Sequence, residues 1–211
     1  MQSPKSYGRI KNDTAKRRRK IFLKKFITIL ITIAFILLII FGGFIFIMKQ
    51  IYPKKYENIV EKYAEEYQID ENIIFALIKA ESNFEEDVIS NRGAVGLMQL
   101  MESTAEEIAS NLNYNDFVVE DLKEPEVNIQ FGVKYFSELL NHYQNNYLLA
   151  LTAYNAGIGN VEEWIENGVI QPDGSDIENI PFQETNMYVR KILRDYDIYK
   201  KLYSHLELKF I

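Results

Sequence analysis

The sequence contains no cysteine, so no disulfide braces the chain and no thiolate is available as a nucleophile or metal ligand. Its two histidines, His142 and His205, lie far apart without ligand-like spacing. That argues against a metal site, and no cofactor is expected. No segment of convincing length alternates with a strand period, and no internal repeat or low-complexity tract is present. Basic residues are scarce beyond position 25. Ten of the 24 Lys and Arg lie in residues 1–25 beside one acid, Asp13, which leaves 14 basic and 29 acidic residues for the rest. The net charge of −6 therefore joins a head of about +9 to a remainder of about −15.

Between the two lies an uncharged run, Phe26 to Met48, of 23 residues rich in Ile, Leu and Phe. At ~1.5 Å per residue it reaches ~34 Å, enough for a ~30 Å hydrocarbon core. A dense basic cluster is retained on the cytoplasmic side. The expectation is a cytoplasmic segment 1–25, a transmembrane helix 26–48, a juxtamembrane linker 49–55 and an extracytoplasmic domain 56–211. A cleaved signal peptide is the rival, but its apolar core is ~7–15 residues and ends at a small-residue site. Here the run leads into Phe-Ile-Phe-Ile-Met-Lys-Gln with no such site. The basic run Arg17–Lys20 could touch nucleic acid. Beside a span it reads more simply as a topology signal, and no nucleic-acid partner is expected.

The outer part reads as helices. Pro53 opens one to about Gln68; Asp70 caps a second from Glu71 to about Phe84. Ser103 with Glu106 forms a capping-box signature for a helix from Thr104 to about Asn111. Pro125 suits the first position of a helix to about Tyr143 with an apolar stripe of Ile129, Val133, Phe136, Leu139 and Leu140. Helices from Tyr147 to Ala156 and Val161 to Asn167 stop at Gly157 and Gly168. A turn at Pro172–Ser175 precedes a last helix, Glu184 to about Tyr203.

On the second helix, at 100° per residue, Ile73, Ile74, Ala76, Leu77, Ile78, Ala80 and Phe84 share an apolar arc. Ser82 and Lys79 fall on the other side. Glu81 is the only charged residue within that arc. A carboxyl in apolar surroundings keeps its proton near neutrality, which a general acid requires. The plainer readings are a frayed helix end or pairing with a buried cation. In the loop Ser90–Met101, Gly93 and Gly96 permit close backbone approach, and Gln99 offers a sugar both a donor and an acceptor. A plain tight turn fits the same glycines. Ala153-Tyr154-Asn155-Ala156-Gly157 ends a helix and, taken alone, is better read as structural.

In order, Glu81-Ser82-Asn83-Phe84, Gly93-Ala94-Val95-Gly96-Leu97-Met98-Gln99, Asn128-Ile129-x-x-Gly132-x-x-Tyr135, Ala153–Gly157 and Glu184-Thr185-x-x-Tyr188-Val189 resemble the motifs of the soluble lytic transglycosylase family. The resemblance spans about Tyr56 to Tyr203. It implies a lysozyme-like, all-α or predominantly helical single domain acting on the peptidoglycan β-1,4 bond between N-acetylmuramic acid and N-acetylglucosamine without water. By the same resemblance Glu81 is the single acid and base, and Ser90, Gln99, Met101 and Tyr154 line the cleft. Glu184 is a supporting carboxylate deeper in the site. One departure is Glu102, where the family commonly has proline; it predicts a changed helix start with intact chemistry.

A muramidase that hydrolyses the same bond needs a second carboxylate, and Glu85, Glu86, Asp87, Glu102 and Glu184 are all candidates on sequence. A catalytically silent glycan-binding domain has no need of a buried acid. A structural membrane protein leaves the motif order unexplained. The process served stays open among wall remodelling, sporulation, and passage of a secretion or conjugation machine, as do protein partners among cell-wall or secretion machinery.

Overall fold

A computed structural model describes the backbone of residues 4–203, with side chains from Arg17 onward. His205 and the side chains of Lys5, Arg9, Lys11, Asp13 and Lys16 lie outside the described residues. The chain divides into two units, Met1–Ile51 and Tyr52–Ile211.

The first unit is one helix, α1, Pro4–Ile51. Its stretch Arg17–Ile51 is the one described helix long and apolar enough to cross a membrane, and its apolar side chains are left uncovered. Thr28 and Thr32 donate to the carbonyls of Lys24 and Thr28, each at 2.9 Å, so these hydroxyls are satisfied inside the helix. The helix runs past both ends of the expected span, because the flanking basic and Lys-Gln-Ile residues are themselves compatible with helix.

In the second unit the helices are α2 (Glu57–Glu66), α3 (Glu71–Glu81), α4 (Glu102–Asn111), α5 (Pro125–His142), α6 (Tyr147–Ala156), α7 (Ile158–Glu166) and α8 (Gln183–Tyr203). Two 3₁₀ turns intervene, Val119–Lys123 and Ile177–Asn179. The described residues contain no strand, only isolated bridges pairing Val95 with Ile89 and Leu100. The predominantly helical class expected from the sequence is the one observed.

α3 is the central rod. Every residue from Ile73 to Ile78 is buried, Phe75 included, whose ring stacks on Tyr199 of α8 at 5.7 Å. A helix buried all round is packed by neighbours on every side, and α8 and α2 both lie against it. Each of its large side chains contributes ~1.5–3 kcal/mol by leaving water. The arc drawn from sequence was therefore too narrow. Asp70 caps the helix as expected, accepting from the Asn72 amide at 3.0 Å. Burial pushes the Asp70 carboxyl up, but the Tyr196 hydroxyl and the Asn72 donors outweigh it and hold it below the usual aspartate range.

Helix boundaries differ from expectation at four places, one of them the start of α7, which is Ile158 and not Val161 because Gly157 stands directly in the capping position. α2 starts at Glu57 and not at Pro53, because Tyr56 takes a left-handed conformation (φ 59°) and residues 52–54 are bound elsewhere. The Pro53 carbonyl accepts from Tyr199 at 2.9 Å, the Tyr52 carbonyl from Tyr203 at 2.7 Å, and Lys54 pairs with Glu71. α3 stops at Glu81 and not near Phe84, because Asn83 and Phe84 are left-handed (φ 50° and 66°). Ser103 is not a cap: α4 begins at Glu102, with Met101 in the capping position. Glu102 thus stands at the first helical position, where proline is also at home and a carboxylate suits the positive end of the helix.

The apolar side chains form two clusters. The larger gathers α2, α3, α5, α6 and α8; the smaller gathers α4, the loop before it, Leu122 and Phe131. Tyr135 and Tyr154 pack against both. A cleft opens along that seam.

Candidate active site

Glu81, the last residue of α3, is brought to this seam by the early end of its helix. Ser82 sets the end. Its hydroxyl donates to the Leu97 carbonyl at 2.9 Å and accepts from the Phe84 amide at 3.1 Å, which ties the helix terminus to the glycine-bearing loop. Ser82 is buried, contrary to its expected place on the polar side.

Asn128, fully buried on α5, clamps that loop from beneath. Its oxygen accepts from the Met98 amide at 2.7 Å, and its nitrogen donates to the carbonyls of Val95 and Leu122 at 2.9 and 2.7 Å. One side-chain amide thus satisfies three backbone groups that would otherwise be buried unpaired. A β-carbon on Gly96 would come closer than 3.0 Å to the Asn128 nitrogen and the Leu122 carbonyl, at a φ of +79°. That glycine is required by both contact and conformation.

The cleft holds about 560 Å³ and is walled by Glu81, loop residues from Ser90 to Met101, Tyr154 and Asn155 at the end of α6, and Glu184 of α8. All six residues singled out from sequence meet in it, although not always in the manner expected. The Ser90 hydroxyl accepts from the Ala94 amide at 2.9 Å and so shapes the loop. The Gln99 amide nitrogen donates to the carbonyls of Val88 and Gly96 at 3.0 and 2.9 Å. Its donor is therefore spent on the loop, and only its oxygen can serve a ligand. Met101 stands 43% exposed on the wall. Tyr154 donates to the Met98 carbonyl at 2.8 Å. Glu184 is exposed in the first turn of α8; it sits at the rim and not deeper in the site.

The residue that reaches Glu81 from α8 lies one turn further on. Tyr188 donates its hydroxyl to the Glu81 carboxyl. Sequence analysis found Tyr188 only as part of a motif. The available signal was its i+4 relation to Glu184, which puts both on one helix face.

Burial dominates the electrostatics. It pushes the Glu81 pKa up to about 7 against the smaller downward pulls of the Tyr188 hydrogen bond and the Lys191 charge. Burial also lifts Tyr188 and Tyr154 well above the usual tyrosine value, with the Glu81 charge adding to it. Both phenols are therefore donors at neutral pH. The arrangement presents an open cleft, one carboxyl poised to release or accept a proton near neutrality, and phenol donors beside it.

Fold and site together define a helical domain in which one half-buried carboxyl, Glu81, opens on a cleft of about 560 Å³. The transglycosylase SLT domain model matches residues 58–173. The chain belongs to that family, in the lysozyme-like superfamily. It is similar to the soluble lytic murein transglycosylase of Salmonella typhimurium, 34% identical over 154 residues, covering 72% of this chain and 24% of that protein. It is also similar to a membrane-bound lytic murein transglycosylase C of Edwardsiella ictaluri, 35% identical over 116 residues, covering 51% of this chain and 32% of the relative. Among solved structures, an inactive glutamate-to-glutamine mutant of the lytic transglycosylase Slt of Pseudomonas aeruginosa superposes with a TM-score of 0.66 at 34% identity. That match covers 71% of this chain and 24% of the other. The chain spans about a quarter of the length of the soluble relatives it matches.

Proposed function

We propose that the second unit is a peptidoglycan lytic transglycosylase that cleaves the β-1,4 bond between N-acetylmuramic acid and N-acetylglucosamine, with Glu81 as general acid and then base. The observation that carries this reading is the Glu81 carboxyl, raised to about 7 by burial and opening on the cleft. Protonated Glu81 gives its proton to the departing glycosidic oxygen as the C1–O bond breaks. The N-acetyl group assists by stabilising positive charge at C1. Glu81, now ionised, takes the proton of the C6 hydroxyl, whose oxygen bonds to C1 and closes a 1,6-anhydro ring. One residue gives and regains one proton, and the internal nucleophile lowers the entropic barrier. Ser90, Gln99, Met101, Tyr154 and Glu184 contact the glycan in this reading.

Hydrolysis is the second reading, and Glu184 is the observation that favours it: it is the other carboxylate among the residues of the cleft wall. Exposed at the rim, it is poorly screened from bulk water. Glu85, Glu86 and Asp87 line a separate depression beside Tyr56. Mass spectrometry of the muropeptides released from isolated peptidoglycan separates the readings. Anhydro-muramyl ends support transglycosylation, and new reducing ends overturn it.

In this reading α1 anchors the enzyme through residues 26–48, with the basic segment cytoplasmic and residues 56–211 outside the membrane. The apolar helix and the similarity to membrane-bound relatives support the anchor. The stretch Lys49–Lys55 that follows the span is short. Cleavage is then confined to membrane-proximal glycan, and lengthening the segment after Lys49 widens access. Proteins of a wall-building or secretion machine are the partners such a position would suit.

A further inference from the structure

The outer part of the chain is acidic, and the segment from Ala80 to Leu122 is the extreme case. It carries ten acids (Glu81, Glu85, Glu86, Asp87, Glu102, Glu106, Glu107, Asp116, Glu120 and Asp121) and one base, Arg92. That one base stands on the wall of the cleft. Its backbone is held in place: the Arg92 amide donates to the Ser90 hydroxyl at 3.3 Å, and the turn closes through Ser90 to Ala94 at 2.8 Å and Gly93 to Ser90 at 2.9 Å. Its guanidinium forms no ion pair with a described residue. The charges that act on Glu81 come from elsewhere, namely Lys191. Arg92 therefore offers a planar fork of donors on the cleft wall, not paired with any described carboxylate.

From this placement we propose that Arg92 determines specificity by binding a carboxylate on the muramyl substituent of the glycan strand. The inference rests on the proposed function, which supplies the glycan. A muramyl residue stripped of peptide ends its lactyl group in a free carboxylate. One that carries peptide has an amide there and carboxylates further out on the stem. Either carboxylate matches the guanidinium fork bidentately. Without this contact the negative field of the domain would disfavour the anionic strand.

The test uses the full-length chain in detergent. A Glu81→Gln background keeps strands intact, and affinity is measured on peptide-free strands, peptide-bearing strands, and peptide-free strands whose carboxylates have been converted to methylamides. Adding Arg92→Gln is expected to weaken binding to peptide-free strands about 3- to 10-fold at low salt, the range for an exposed charge-assisted pair, and Arg92→Lys to recover part of the loss. Amidation of the strands is expected to weaken binding to the same level and to cancel the effect of Arg92→Gln. A loss seen on peptide-bearing strands alone assigns the carboxylate to the stem, and one on peptide-free strands assigns it to the lactyl group; both support the proposal. Equal affinities with and without Arg92 on every strand overturn it, as does an equal loss on amidated strands. Cleavage by the chain with Glu81 intact is followed in parallel. Strands cut normally with Arg92-independent affinity sink this inference alone, whereas Arg92-dependent binding without cleavage sinks the proposed function alone.

Discussion

The Tyr188 hydroxyl donates a hydrogen bond to the Glu81 carboxyl across 107 residues of sequence. The bond favours the ionised carboxylate, while burial favours the protonated acid, and burial wins, leaving Glu81 near 7. Two opposed effects thus set one proton affinity close to neutrality, where acid and base roles are both accessible.

Tyr188→Phe removes the smaller effect and keeps the larger. The Glu81 pKa should then rise, and the alkaline limb of the rate profile should move to higher pH, with kcat reduced by lost positioning. Rates measured across pH 5 to 9 (roughly the span that brackets a group near 7) check this. An unmoved limb would mean that Tyr188 does not tune the acid.

Glu81 should also cost stability. Below pH 4.5, the carboxyl's ordinary value, it is protonated in both the folded and the unfolded chain. As pH rises toward about 7 the unfolded chain releases this proton and the folded chain retains it, so stability falls by on the order of 3 kcal/mol in all. Glu81→Gln is free of that loss. Its advantage over the native chain in thermal or denaturant unfolding should be near zero at pH 4, grow to pH 7, and then level off.

Asn128→Ala strands the Met98 amide and the carbonyls of Val95 and Leu122 in the interior. A loss of ~3–5 kcal/mol is expected from denaturant midpoints. Gly96→Ala attacks the same clamp from the other side, since its β-carbon overlaps Asn128 and the unyielding Leu122 carbonyl. The two changes should be far from additive, because they break one arrangement.

Local chemistry explains which parts of the fold were legible in the sequence. Pro125 opens α5 and Gly157 ends α6 as expected, because each acts through its own backbone constraints. The Asp70 cap is likewise local. The end of α3 was not legible, since Asn83 and Phe84 are held left-handed by burial of Phe84 and by the bond from Ser82 to Leu97, fifteen residues away. Ser103 misled for the converse reason: Glu102 already begins the helix, so the capping signature falls one turn-step late. In the site, the six residues named from the sequence all line one cleft, but exposure reversed the expected depth of Glu184. Tyr188, which touches the acid, was named without a role. A residue's family motif says that it belongs near the cleft, and only packing says whether it faces the acid or the solvent.

The most direct test of Glu81 as the acid and base is the release of anhydro-muropeptides from isolated peptidoglycan by the Glu81→Gln chain, compared with the native chain at equal folded concentration. Loss of this proton donor should cut the rate by ~10²–10⁴-fold, with the variant's circular dichroism unchanged. A folded Glu81→Gln chain that releases the same products at the native rate would contradict the account.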